Sequence, residues 1–114
     1  MAGVLVVDDL GEIREMLRVA LRAYGGQETV WEASSGPEAV RLAEQLRPDA
    51  VVLDLAMPSG DGLEVLPTLR QALPEARIVV YSAYADPERK ARDLGADAYV
   101  VKGRPLRELV AALS

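Results

Sequence analysis

Four short apolar runs recur along the chain: Val4–Val7, Ala50–Leu53, Ile78–Tyr81 and Ala98–Val101. They are rich in β-branched residues and do not alternate with polar ones, so they read as strands covered on both faces, as in a parallel sheet. A fifth and weaker segment, Glu28–Ala33, does alternate and reads as an edge strand. Between these runs the apolar spacing becomes helical. Ile13, Met16, Leu17, Ala20 and Leu21 fall at i, i+3, i+4, i+7 and i+8; Ala39, Leu42, Ala43 and Leu46 form a second stripe, and Leu106, Leu109, Val110 and Leu113 a third. The punctuation agrees. Ser35-Gly36-Pro37-Glu38 has the spacing of a capping box, Asp86-Pro87 offers an N-cap followed by a first-turn proline, and Arg104-Pro105 puts proline in the first turn of the last helix. Gly25-Gly26 and Gly95 stand where helices should stop. One further helix, over about residues 62–73, carries Pro67 inside it, which predicts a kink or a late start. The pattern is β-α five times over, one domain across residues 1–114, and it predicts a three-layer α/β sandwich with five helices.

Composition narrows the chemistry. At 114 residues the chain has the size of one domain, with no length for a separate effector module. There is no cysteine and no histidine, which removes disulfides, thiol nucleophiles, imidazole bases and the usual zinc and iron-sulfur ligand sets. The net charge of −5 argues against direct contact with a nucleic-acid backbone. No uncharged apolar stretch is long enough to span a membrane, and Met1-Ala2-Gly3 leads into the first strand without a basic segment, so a cytoplasmic location is expected.

In a sheet of this kind ligands bind beyond the carboxyl ends of the strands. The residues just after the apolar runs are Asp8 and Asp9, Asp54, Ser82 and Lys102. Taken singly, each has an ordinary explanation: Asp9 as a helix cap, Asp54 capping the loop after its strand, Ser82 in a turn, Lys102 as a solvated strand-end charge. Together they are chemically matched. Three crowded carboxylates need a cation, and a hard divalent ion such as Mg²⁺, which takes carboxylates, water and a phosphate oxygen, supplies it. Lys102 and Ser82 suit phosphoryl oxygens. Asp54, at the end of a central strand, is then the natural nucleophile for a phosphoryl group.

These residues resemble the receiver domain of two-component response regulators, the CheY-like family. The matching motifs are Val6-Val7-Asp8-Asp9, the run from Asp54 through Met57-Pro58 to Asp61-Gly62, Ser82-Ala83, and Gly95-Ala96-Asp97-Ala98-Tyr99-Val100-Val101-Lys102, and the similarity covers essentially the whole chain. The resemblance implies a flavodoxin-like fold with strand order 2-1-3-4-5. It implies that Asp54 accepts a phosphoryl group from a histidine kinase or phosphotransfer protein. Mg²⁺ would be held by Asp9, Asp54 and the backbone carbonyl of Ala56, with Asp8 acting through water. Ser82 and Tyr99 would form a switch that is read by a downstream output domain or protein through the last helices. The chain would not be an enzyme beyond its own phosphorylation and dephosphorylation. It departs from the family in having Gly103 where proline commonly follows the lysine, and a non-proline residue there predicts a trans Lys102–Gly103 bond with Lys102 still aimed at Asp54. Ala56 and Tyr84 occupy positions whose family side chains influence access of hydrolytic water.

Three other functions fit less well. An aspartyl phosphatase of the haloacid-dehalogenase type wants a second acid two residues after the nucleophile, where this chain has Ala56. A flavin mononucleotide carrier would set its phosphate against Asp8 and Asp9. A phosphorylation-independent interaction module on the same fold is the nearest rival.

Overall fold

A computed structural model describes residues 3–27, 29–57 and 60–114; Met1, Ala2, Glu28, Pro58 and Ser59, with what the sequence predicts for them, lie outside the described residues. The elements run β1 (Val4–Val7), α1 (Gly11–Gly25), β2 (Val30–Ala33), α2 (Gly36–Leu46), β3 (Ala50–Leu53), β4 (Ala56–Met57), β5 (Gly60–Asp61), α3 (Gly62–Ala72), β6 (Arg77–Ser82), α4 (Glu88–Asp93), β7 (Ala98–Val101) and α5 (Leu106–Ala112). The main sheet is parallel, with order β2-β1-β3-β6-β7. Counting its strands alone, that is the expected 2-1-3-4-5. The short strands β4 and β5 form a separate antiparallel pair, Ala56 opposite Asp61 and Met57 opposite Gly60, which the sequence pattern does not predict.

The period-two geometry of strands explains the two cores. Leu5, Val7, Val51, Leu53, Ile78 and Val80 point to the side covered by α2, α3 and α4, where they meet Ala39, Ala43, Leu66, Leu69 and Ala91. Val4, Val6, Val52, Val79 and Tyr81 point to the other side, against Leu17 and Leu21 of α1 and Leu109 of α5. Most of these side chains are fully buried, as strands sandwiched between helices require.

Several local expectations need correcting. The run Ala98–Val101 reads as a strand covered on both faces, but β7, at the sheet edge that the order 2-1-3-4-5 gives it, has all four residues half-buried. The two helices flanking it in sequence are short, α4 with 6 residues and α5 with 7. Helix α4 begins one residue later than expected: Pro87 is the cap position and Asp86 makes no cap. Pro67 does not delay α3, which starts at Gly62 with Pro67 inside it. Ser35 does cap α2, accepting from Glu38 N at 3.3 Å, while the Glu38 carboxylate reaches back to Ser34 N at 2.6 Å, one residue earlier than a standard capping box. Gly26 ends α1 in the left-handed conformation, as its position suggests.

Gly62 joins the fold to the site. Its N–H donates to Leu55 O at 2.9 Å, and a Cβ there would lie 2.4 Å from Asp54 O and 2.6 Å from Leu55 Cα. The start of α3 is thus pressed onto the backbone that carries Asp54. Gly62→Ala is expected to cost about 1–3 kcal/mol in chemical denaturation, the usual range for overpacking. Gly36→Ala, whose Cβ would sit 3.4 Å from Val65 Cγ2, should be much milder. Equal denaturation midpoints for the two variants would contradict this packing argument.

Candidate functional site

Asp8 leaves the carboxyl end of β1 with its N–H donating to Ala33 O at 3.1 Å, and Asp54 leaves β3 with its N–H donating to Val7 O at 2.9 Å. The sheet ladder thus continues one residue past each strand and fixes both acids against their neighbours. Both are buried, 1% and 3% exposed, while Asp9 is half-buried. One carboxylate oxygen from each of Asp8, Asp9 and Asp54 lies within 4.8 Å of the others.

Lys102 enters from the end of β7, anchored by its N–H to Ser82 O at 2.7 Å. Its ammonium donates to Asp8 Oδ2 at 3.1 Å and stands 3.5 Å from Asp54 Oδ1. It also lies 5.7 Å from the centroid of the buried Tyr81 ring. No cis peptide bond occurs among the described residues, so Lys102–Gly103 is trans, and Gly103 takes φ +100°, a conformation open to glycine.

The electrostatics follow from these distances. Burial pushes the Asp54 carboxyl above its usual range and the charge of Asp8 adds to this; the Ala56 N–H and Lys102 only partly offset them. Burial works against the Lys102 ammonium, but its hydrogen bond to Asp8 and the charges of Asp54 and Asp8 outweigh it and raise its pKa. One ammonium among three carboxylates leaves two negative charges in a partly dry pit. Asp8 Oδ1 accepts from Leu10 N at 2.9 Å and Asp54 Oδ1 from Ala56 N at 3.3 Å. The Asp9 carboxylate has no hydrogen-bonding or ionic partner among the described residues. A set of hard oxygen donors with excess negative charge fits Mg²⁺.

Asp9 does not cap α1; that position belongs to Leu10, whose side chain makes no cap. Ser82 is the last residue of β6 rather than the first after it, and it is buried. Its Oγ accepts from Tyr84 N at 3.4 Å, and the Tyr99 hydroxyl donates to the carbonyl of the same Tyr84. The backbone of Tyr84 therefore joins Ser82 and Tyr99, a link for which position after Ser82 is the only sequence signal. Arg14 is also absent from the sequence reading. It donates from Nη1 to Asp8 O at 2.7 Å and from Nε to Glu32 Oε1 at 2.8 Å.

A family model for the response regulator receiver domain matches residues 4–114. Among curated relatives, YhcZ of Bacillus subtilis, named as an uncharacterized transcriptional regulatory protein, is 36% identical over 94% of this chain and 51% of its own length. The response regulator VraR of Staphylococcus aureus is 30% identical over 96% of this chain and 54% of its own. The chain spans about half the length of these relatives. Among solved structures, a Burkholderia pseudomallei response regulator with a phosphorylated aspartic acid, calcium ion and citrate superposes with TM-score 0.88 at 30% identity, covering 97% of this chain and 65% of that one. TrrA of Thermotoga maritima, in complex with Mg(2+)-BeF, gives TM-score 0.86 at 35% identity with 100% of each chain covered. With sheet order, acidic cluster and opposed lysine in agreement, the chain belongs to the response regulator receiver domain family.

Proposed function

We propose that this chain is a Mg²⁺-dependent phosphoacceptor switch in which Asp54 takes a phosphoryl group from the phosphohistidine of a histidine kinase or phosphotransfer protein. The observation that carries this reading is the Lys102 ammonium standing 3.1 Å from Asp8 and 3.5 Å from Asp54 at the mouth of the acidic cluster. A carboxylate oxygen of Asp54 attacks phosphorus, forming an acyl phosphate, and the phosphorus–nitrogen bond of the donor breaks with its electron pair leaving on the imidazole. Asp9, Asp54 and the Ala56 carbonyl would hold Mg²⁺, with Asp8 acting through water; the ion supplies charge neutralisation for the transferring oxygens. Lys102 would stabilise charge on the same oxygens. Calcium with a phosphorylated aspartate in the Burkholderia relative and Mg(2+)-BeF in TrrA support the same ligand chemistry here.

Ser82 and Tyr99 are the proposed switch, and the output is a partner protein or domain reached through the last helices. The named regulators among the relatives support an output of that kind. The excess negative charge of the chain argues for a protein partner over direct nucleic-acid contact. No helix among the described residues is long and apolar enough to cross a membrane; a cytoplasmic site of action is part of this reading.

Incubation with Mg²⁺ and a small acyl phosphate should add the mass of one phosphoryl group, and Asp54→Asn should abolish the gain. A full gain in that variant would displace Asp54 as acceptor. No gain in the wild type would favour the phosphorylation-independent module.

The raised pKa of Asp54 gives a signed pH dependence. The native state holds this proton more tightly than the unfolded chain, so the group favours the fold at low pH and loses that contribution as pH rises through its native pKa. Mg²⁺ competes with the proton and, by mass action, should raise the melting temperature by an amount that grows across the same window. Asp54→Asn should be more stable than wild type without metal at neutral pH and should lose most of the Mg²⁺ shift; Asp9→Ala should also lose most of that shift. Melting curves indifferent to Mg²⁺ at neutral pH would make the cluster purely structural.

Ser82→Ala should still gain the phosphoryl mass but lose the response at Tyr84 and Tyr99, because the hydroxyl acquires a charged acceptor only once Asp54 is modified. Amide spectra with and without a phosphoryl mimic test this. Identical responses in wild type and variant would take Ser82 out of the switch.

A further inference from the structure

Asp8 is held at nearly every polar atom. Its N–H bonds to Ala33 O, its carboxylate accepts from Leu10 N and Lys102, and its carbonyl accepts from Arg14 Nη1 at 2.7 Å. That carbonyl belongs to the peptide joining Asp8 to Asp9. Asp9 itself has no side-chain partner among the described residues, so its backbone, which sets the Cα–Cβ direction, is what constrains where its carboxylate can reach. Arg14 is in turn fixed by Glu32 Oε1 at 2.8 Å, on the edge strand β2. Glu32 lies opposite Val6 in the β1–β2 register, two residues before Asp8. Arg18, one turn further along α1, also hydrogen-bonds Glu32. The edge strand, helix α1 and the turn after β1 are thereby tied through one guanidinium.

We infer that Arg14, braced by Glu32, is a positioning residue that presents Asp9 to the metal. The inference rests on the Mg²⁺ reading above. Arg suits the task because its planar fork can serve two acceptors in fixed directions, which a lysine cannot. Groups that orient metal ligands from behind commonly change affinity tenfold or more when removed.

The sign of the effect separates positioning from charge alone. Arg14 is a cation near the cluster, so a purely electrostatic role predicts tighter Mg²⁺ binding when the charge is removed and no change in Arg14→Lys. Positioning predicts weaker binding in both.

The test is titration of the metal-free proteins with Mg²⁺ alone, by calorimetry and by amide shifts at Asp8 and Asp9, with metal-free melting curves alongside. Arg14→Met and Arg14→Lys should each raise the Mg²⁺ Kd about tenfold while still melting cooperatively. Glu32→Gln should shift it in the same direction by less, because the Asp8 contact survives without its brace. Unchanged or tighter binding in Arg14→Met, or unchanged binding in Arg14→Lys, would overturn the inference. So would loss of cooperative melting in both Arg14 variants, which would assign the residue to fold stability. Wild type that binds Mg²⁺ with variants that match it defeats this inference alone; wild type that binds no Mg²⁺ defeats the proposed function with it.

Discussion

Three carboxylates at one rim repel one another, and every functional feature of this molecule is arranged around that repulsion. At separations near 4.8 Å and an effective dielectric of about 20, each like-charged pair costs on the order of 3 kcal/mol. Three such pairs are offset to about the same extent by the attractions of Lys102 to Asp8 and Asp54, which leaves the burial of the charges uncompensated without metal. The raised pKa of Asp54 comes first from its burial and then from the charge of Asp8. A site that is strained when empty of cations gains most from binding one, and for that reason the rigidity of the surrounding backbone matters as much as the acids themselves.

The rigidity comes from continuing the parallel ladder beyond the strands. Asp8 and Asp54 use their N–H groups to bond to Ala33 and Val7, so the acids are extensions of β1 and β3 and not free loop residues. Gly62 lets α3 begin in contact with Asp54 O, and Arg14 holds the carbonyl of Asp8. A comparable brace stands elsewhere in the chain, where Arg70 donates to the carbonyls of Gly95, Leu73, Pro74 and Ala76 and pairs with Asp97 at 2.6 Å. These bonds tie the segment before β6 to the segment before β7. The two strands that deliver Ser82 and Lys102 are therefore held at their start.

The strands and the acidic rim were legible in the sequence because each depends on local period and on position relative to an apolar run, whereas the strand order came from the family resemblance. Asp54, Asp9, Asp8 and Lys102 are readable as a group once parallel strands are assumed, since the topology alone carries them to one end. The β4–β5 pair was not legible, because two residues per strand are too few to show a period. The partial exposure of β7 was hidden because its apolar run matches those of the central strands. Arg14 escaped notice for another reason. Its partners, Glu32 and a backbone carbonyl, are 18 and 6 residues away, and carbonyls leave no mark in a sequence.

Backbone groups also bear on how the proposed switch would report the state of the site. The Ser82 hydroxyl accepts a long bond of 3.4 Å from Tyr84 N, so giving it up costs little. Its proton has no acceptor of comparable strength to an ionised phosphoryl oxygen, and charge-assisted bonds are roughly twice as strong as neutral ones. The carbonyl of the same Tyr84 is the acceptor for Tyr99, on the edge strand, whose ring packs against the core side that α2, α3 and α4 cover. In the proposed switch, a shift of Ser82 toward Asp54 would pull on one side of a single peptide-bearing residue whose other side holds Tyr99. Such a coupling needs a soft segment between two stiff ones. Residues 83–87, between the buried end of β6 and a six-residue helix without a side-chain cap, would supply it.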